Sequence, residues 1–413
     1  MGNAMQPGPK TEEGVPYCCI CLDEDTINQG TISLECSEDD PHVCCQSCLN
    51  TYINEHIVEK KRSFLMLSCP HKGCKNNIAY DLIEKNATEE TKSFIEEMKK
   101  TIPKEQKEFY TLADFNYEYN DKGELRNKTT GEKFYYITEN HYSAMGECII
   151  RDIQEKMKNE LNMEEFFVDT ETKVNNIFIS KGALEKKKLM LLIQGSGAVR
   201  PGQWARALCF NDTLRTGSQL EYIERAYKKD YGVIVFNPNE NERILGKKEP
   251  YDFYNTSKFR KSRKTEKLKG SESKVKHTLS VYDRWAAKAK AEHIVIVAHS
   301  AGGYCTQELV SQRIDELHGK LKALAFTDAF YSISERDDPR MKEVYRKHGC
   351  NWVASDKPLN EPMVDKERKT RTALDSGCEV RSAGHKQHEM TSACCIDPLF
   401  EFIEKHVAES EES

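Results

Sequence analysis

Residues 293–303, HIVIVAHSAGG, constrain the fold of this chain more than any other stretch. Four consecutive branched apolar residues, 294–297, suit a central parallel strand covered on both faces, where strict alternation of apolar and polar residues is not required. The run ends in Ala298-His299-Ser300-Ala301-Gly302, with a small residue two places before and two places after the serine. A strained strand-to-helix corner needs that pattern, because side chains have no room on either side of it. Gly303 adds slack. A serine at such a corner stands at the end of a sheet as a candidate nucleophile.

Alternating strand and helix signals surround this stretch. FNYEYN, NIFIS, KKKLMLLIQ, YGVIVFNPN, LKALAFTDAF and CEVRSAG read as strands, while HYSAMGECIIRDIQEKMKNELN, LEYIERAYKKD, SVYDRWAAKAKA and DPLFEFIEKHV read as helices. Strands separated by helices of ten to fifteen residues imply an α/β fold, a doubly wound parallel sheet with helices on both faces. The layout is similar to that of the α/β-hydrolases. Such sheets place chemistry at the carboxyl ends of their strands. Gly195-Ser196-Gly197, Asn237-Pro238-Asn239, Ser300, Thr327-Asp328 and the run from Gly384 to His388 occupy those ends.

The order Ser300, Asp328, His388 is the hydrolase order of nucleophile, acid and base. Acyl transfer is the chemistry these residues support: Ser300 attacks a carbonyl, His388 moves its proton, and Asp328 orients the imidazole. The Ala301 amide, with one from Gly195, Ser196 or Gly197, would stabilise the oxyanion. Asp337, Asp338 and Asp365 are rivals for the acid, since many hydrolases carry it one strand later, and His385 competes with His388.

Of the 16 cysteines, nine lie between Cys18 and Cys74. A reducing compartment and one metal-binding module explain that clustering better than disulfides do. Cys18-x2-Cys21, Cys36 with His42, Cys45-x2-Cys48 and Cys69-x4-Cys74 make eight ligands in four pairs. Zinc takes four such ligands tetrahedrally, so eight imply two Zn2+ ions. Interleaved, Cys18, Cys21, Cys45 and Cys48 hold one ion, and Cys36, His42, Cys69 and Cys74 hold the other, with Cys19 and Cys44 as alternatives by spacing. Such a staple orders a segment too small to bury a core. The motifs YCCIC, HVCCQSCL and SCPHKGC resemble a RING finger, specifically the first RING of RING-between-RING ubiquitin ligases. That resemblance implies that Ile20 and Lys75 contact a ubiquitin-conjugating enzyme and its conjugated ubiquitin. No further cysteine cluster follows, so ligase activity would be direct transfer.

With 31% charged and 38% hydrophobic residues and a net charge of −6, overall composition names no partner. No run of eighteen apolar residues exists, which points away from a membrane partner and toward a soluble, intracellular protein. The expected organisation is a disordered tail over 1–14, the zinc module over 15–85, a helical linker over 86–107 broken at Pro103, the large domain over 108–406 and a tail over 407–413. Within the large domain, 246–278 reads as a disordered basic loop, with nine lysines or arginines against two glutamates between Lys258 and Lys276. Clustered cations of this kind serve nuclear import or nucleic-acid contact.

QGSGAVRPGQWAR, YGVIVFNPNEN, VAHSAGG, CNWV and SAGHKQHEMT are similar to motifs of the argonaute-binding-protein-two (Arb2) domain family, most of all its metazoan cotranscriptional-regulator branch. The resemblance runs from about Leu112 to Glu404. It implies a hydrolase-like fold, nuclear residence shared in part with the cytoplasm, and partners among argonaute, splicing and chromatin proteins. It places the family's serine, acid and histidine on Ser300, Asp328 and His388. It implies less about catalysis, which leaves three functions open: a nuclear adaptor with RING-type ligase capacity, a serine hydrolase, or a zinc-stapled scaffold.

Overall fold

A computed structural model describes residues 17–23, 30–36, 42–246, 249–256, 264–363 and 377–411. The chain divides into two compact units. One gathers Met1–Glu118, Arg126–Cys148 and Glu249–Lys261; the other gathers Tyr119–Leu125, Ile149–Lys248 and Ser262–Ser413.

In the first unit, β1 (Thr31–Ser33) and β2 (Val43–Cys45) pair antiparallel and lead into α1 (Gln46–Asn54). The helical linker expected over 86–107 holds α3 (Glu89–Lys99), and a separate α2 (Tyr80–Asn86) precedes it. Thr88 divides them, because its hydroxyl accepts from the Thr91 amide at 3.2 Å and caps α3. A threonine that satisfies an orphan amide competes with helix continuation at that point. Phe253 is buried against Tyr110 and Phe115 at ring distances of 5.5 and 5.8 Å, and its carbonyl accepts from Thr138 Oγ1 at 2.8 Å.

Short strands β3 (Tyr117–Tyr119) and β4 (Leu125–Asn127) pair, and α4 (Glu139–Asn159) follows. The main sheet contains β5 (Met163–Phe167), β6 (Asn176–Ser180), β7 (Lys188–Ile193), β8 (Tyr231–Val235), β11 (His293–His299), β12 (Leu321–Thr327), β13 (Gly349–Val353) and β14 (Glu379–Ser382). Their spatial order is β5-β6-β8-β7-β11-β12-β13-β14, and β6 alone runs against its neighbours. Numbered one to eight in chain order, the strands lie 1-2-4-3-5-6-7-8, so the sheet is mixed and the fold α/β-hydrolase-like. The helices interleaved with these strands are α5 (Arg206–Asn211), α6 (Leu214–Gly217), α7 (Leu220–Lys228), α8 (Lys274–Arg284), α9 (Gly302–Gln312), α10 (Ile314–Leu317), α11 (Pro339–His348), α12 (Thr391–Cys394) and α13 (Ile396–Glu411).

The alternation of β11 explains how two layers of helices are held. Ile294, Ile296 and Ala298 share a core with Leu279, Leu309 and Val344 from α8, α9 and α11, whereas Val295 and Val297 share the opposite core with Tyr222 and Leu399 from α7 and α13. Successive side chains of a strand point to opposite faces, and each fully buried valine or isoleucine contributes about 1.5–3 kcal/mol. β11 therefore ties both cores together and fixes where its own carboxyl end emerges.

The disordered reading of 246–278 is corrected on both sides of residues 257–263, which lie outside the described residues. Phe253 belongs to the first unit's aromatic core, and β9 (Glu242–Ile244) pairs with β10 (Thr265–Lys267). Leu268 and Ser271 are fully buried, and α8 starts at Lys274 with Ser273 as its cap. Charge density hid β10 and the start of α8, because the apolar anchors there, Phe253 and Leu268, are single residues rather than a periodic face.

Candidate functional site

Ser300 follows β11 in the left-handed region, at φ 54°. A non-glycine residue tolerates that conformation only where its surroundings over-determine it. Here they do: the Ser300 amide donates to the Thr327 carbonyl at 3.2 Å, and its carbonyl accepts from Gly303 and Phe330. A Cβ on Gly302 would lie 2.5 Å from the Ile193 carbonyl oxygen, and one on Gly303 would lie 2.8 Å from the Ala329 side chain. The small residues of the sequence pattern are thus needed for close packing beneath the corner.

Asp328 follows β12, also with positive φ, and accepts from His388 Nδ1 at 2.6 Å. That bond holds the His388 imidazole above its ordinary range, against the opposing effect of burial. Asn351 of β13 fixes the corner by donating to the Ala329 carbonyl and accepting from its amide, at 3.1 and 3.2 Å. Among the described residues, no hydrogen bond joins Ser300 to His388. His388 and Asp328 are bonded to each other, while the Ser300 hydroxyl is bonded to neither.

The rivals are engaged elsewhere. Asp337 accepts from the Ser334 amide, Asp338 caps α11 and pairs with Arg340, and His385 Nδ1 accepts from the Gln387 amide. Asp365 lies outside the described residues.

The glycine loop after β7 presses on the corner: a Cβ on Gly195 would come 2.8 Å from the Ser300 Cβ. Among the described residues, the amides of Gly195, Ser196, Gly197 and Ala301 donate to no protein acceptor. Two residues hold this loop. Asn239 donates to the Gly195 carbonyl at 2.7 Å, and Lys274 donates to Ser196 Oγ at 2.7 Å and to Asn239 Oδ1 at 2.8 Å. Asn239 was legible as a strand-end residue, but Lys274 was hidden within the basic segment. His299, the residue before the serine, is also part of the site. Its Nδ1 lies 2.8 Å from the Thr327 carbonyl, which only accepts, so Nδ1 carries the proton and Nε2 is left as an acceptor. Burial, with the nearby His388 charge, lowers its pKa to about 4, and the two rings lie 4.7 Å apart.

The cysteine-rich segment forms two tetrads, Cys18, Cys21, Cys45, Cys48 and Cys36, His42, Cys69, Cys74, with the ligand atoms of each within 4.8 Å of one another. Tetrahedral zinc with Zn–S about 2.3 Å and Zn–N about 2.0–2.1 Å sets sulfur–nitrogen separations of roughly 3.6 Å. His42 Nδ1 lies 3.1 Å from Cys36 Sγ and 3.5 Å from Cys69 Sγ, so the donor set fits a metal ion, and His71 stacks on the His42 ring at 3.9 Å. Cys19 and Cys44 stand outside both tetrads as thiols whose pKa burial raises, Cys19 to about 12. Ile20 and Lys75 are exposed, as is Leu22. A cavity of about 320 Å³ among Lys347, Trp352, Arg381 and Phe402 does not include Ser300, Asp328 or His388 in its lining.

The family model of the Arb2 domain matches residues 110–359. The cotranscriptional regulator ARB2A homolog of Dictyostelium discoideum is 42% identical over 315 residues, covering 72% of this chain and 80% of the relative. The cotranscriptional regulator ARB2A of Homo sapiens is 32% identical over 341 residues, covering 71% and 80%. Among solved structures, a histone deacetylase from Saccharomyces cerevisiae aligns with 64% of this chain and 98% of its own at 13% identity and a TM-score of 0.40.

Proposed function

The chain belongs to the Arb2 domain family, and from that premise we propose that it is a nuclear adaptor in cotranscriptional regulation, shared in part with the cytoplasm. The observation that carries this reading is the 42% identity to a relative named a cotranscriptional regulator, across most of both chains. Argonaute, splicing or chromatin proteins are the proposed partners, with nucleic acid held through the basic segment. The cysteine-rich tetrads, which fit two zinc ions, support a RING-type module that docks a ubiquitin-conjugating enzyme on Ile20 and Lys75. Its ligase activity would be direct transfer, because the active cysteine belongs to the conjugating enzyme. Affinity capture from nuclear extract, with the full chain and with the chain lacking residues 15–85, tests this reading. Recovery of argonaute, splicing or chromatin proteins by the full chain supports it, and recovery of none overturns it. Autoubiquitination lost in Ile20→Ala supports the contact assignment, while chains that persist exclude it.

A second reading, serine hydrolase, is favoured by the 2.6 Å bond between His388 and Asp328 beside Ser300 and two sets of open amides. In it, Ser300 forms an acyl-enzyme, His388 carries the proton from hydroxyl to leaving group, and water then releases the acid. The absent bond between Ser300 and His388 would form on substrate binding, since catalytic hydrogen bonds are often long before the complex tightens. A fluorophosphonate probe should label Ser300 in the zinc-loaded protein and leave Ser300→Ala unlabelled. Unlabelled wild-type protein would sink the hydrolase reading and leave the adaptor reading standing.

A further inference from the structure

Lys274 opens α8 and reaches the loop that flanks Ser300. Its ammonium donates to the Ser196 hydroxyl and to the Asn239 side-chain carbonyl, and Asn239 passes the restraint on to the Gly195 carbonyl. The lysine is half-buried, and among the described residues no carboxylate stands within ion-pair distance of it. Two acids flanking this cluster are engaged: Glu240, next to Asn239 in the chain, faces Arg200 at 3.5 Å, and Glu272, two residues before Lys274, accepts from the Gly270 amide at 3.0 Å. The neighbouring Cys305 thiol supplies no charge, because burial raises its pKa to about 11. A partly desolvated cation served only by neutral acceptors is unfavourable unless an anion completes its surroundings.

The other groups at this place are also short of acceptors. The amides of Gly195, Ser196 and Gly197 have no protein partner, and α8 directs the positive end of its dipole from the same residue that carries the ammonium. Gln194, immediately before the loop, is 1% exposed, and neither atom of its amide group has a partner. Ammonium, open backbone amides and a hydroxyl together offer donors with little to accept from them, which is the chemistry that holds an oxyanion.

We propose that Lys274, Ser196 and the amides of 196–197 form an anion subsite beside Ser300 that takes the carboxylate or phosphate group of a small acyl substrate and leaves the Gly195 amide to the oxyanion. Calling the ligand a substrate rests on the hydrolase reading; the subsite itself does not. Its distance from that serine is short, since a Cβ on Gly195 would come 2.8 Å from the Ser300 Cβ, and the Gly195 carbonyl accepts from Asn239, which Lys274 holds. The subsite selects esters or amides that carry a negative charge close to the scissile carbonyl, and it discriminates against neutral ones.

Isothermal titration of the zinc-loaded full chain with inorganic phosphate and, separately, with succinate tests this. Wild-type protein and Ser300→Ala should bind at least one anion saturably, and the comparison of the two anions distinguishes phosphate from carboxylate. Lys274→Met should weaken binding at least tenfold, about 1.4 kcal/mol, while Lys274→Arg retains most of it. Ser196→Ala, at an exposed position, should weaken binding too and serves where Lys274→Met melts abnormally. Equal affinity in the folded Lys274→Met protein, or no saturable binding of either anion to wild type, overturns the proposal. The bound anion should also slow fluorophosphonate labelling of Ser300 in wild type and not in Lys274→Met; labelling unaffected by a bound anion would overturn the placement beside the serine. Absence of any labelling counts against the hydrolase reading alone, because the titration still decides the subsite.

Discussion

At the scale of single residues, the site is governed by two histidines pushed in opposite directions. His388 is raised by its bond to Asp328, and in the hydrolase reading it is the general base, which works only when neutral. Fluorophosphonate labelling should therefore rise with pH through a midpoint above the ordinary imidazole value of 6.5, and Asp328→Asn should lower both the midpoint and the plateau. The same bond contributes stability that is fully present below pH 6.5 and is lost as pH rises through the raised value. His299 behaves in the reverse sense. Its depressed pKa of about 4 means that the unfolded chain takes up the proton first, so stability falls as pH drops from 6.5 toward 4. His141 behaves similarly, at about 4 through burial. Melting temperatures measured over that interval should decline on acidification. Gly195→Ala should lower the labelling rate on the order of a hundredfold, the typical loss for a disturbed oxyanion donor, because its Cβ would displace the loop from Ser300.

At the scale of elements, sequence signals worked where periodicity or punctuation was strong. The run over 294–297 gave β11, and the apolar stretches LMLLI and GVIV gave β7 and β8. Two strands of the main sheet were missed for different reasons. β5 carries Glu164 and Glu165 on an edge position, which looks like a solvated loop, and β13 contains Gly349 and Asn351 in a fully buried strand. Asn351 reads as a loop residue until its amide is seen bonded to the backbone of Ala329. Helix α8 was obscured by the lysines around its start, although Ser273 supplies a cap by accepting from the Lys276 amide at 3.1 Å. Ser273→Ala should destabilise the second unit by about 1 kcal/mol, read as a lower denaturant midpoint, and should loosen the position of Lys274.

At the scale of the whole molecule, one chain carries a cysteine-rich segment whose two tetrads fit metal ions and a large α/β core. If both tetrads are filled, metal analysis of purified protein should return two zinc ions per chain, and Cys36→Ser should reduce that number. Chelation should lower hydrogen-exchange protection most around the ligand-bearing residues 42–48 and 69–74, because metal binding there would add folding free energy to that of the buried Leu49, Ile53, Ile57, Phe64 and Leu67. Loss of protection limited to the frayed ends would show that the segment folds without metal.

The sequence alone determined the elements whose causes are local: a strand from branched apolar residues, a corner from small residues around Ser300, and ligand pairs from the short spacings between cysteines. It also gave the chain order of Ser300, Asp328 and His388. The tertiary structure decided what depends on contacts between distant residues. It bonded His388 to Asp328, engaged His385, Asp337 and Asp338 elsewhere, gathered the tetrads with Cys18 and Cys45, and left Ser300 without a bond to His388. It also drew Lys274, 78 residues along the chain from Ser196, onto the glycine loop. Pairings of that kind are set by which strand ends lie side by side in the finished sheet. No window of sequence contains that order.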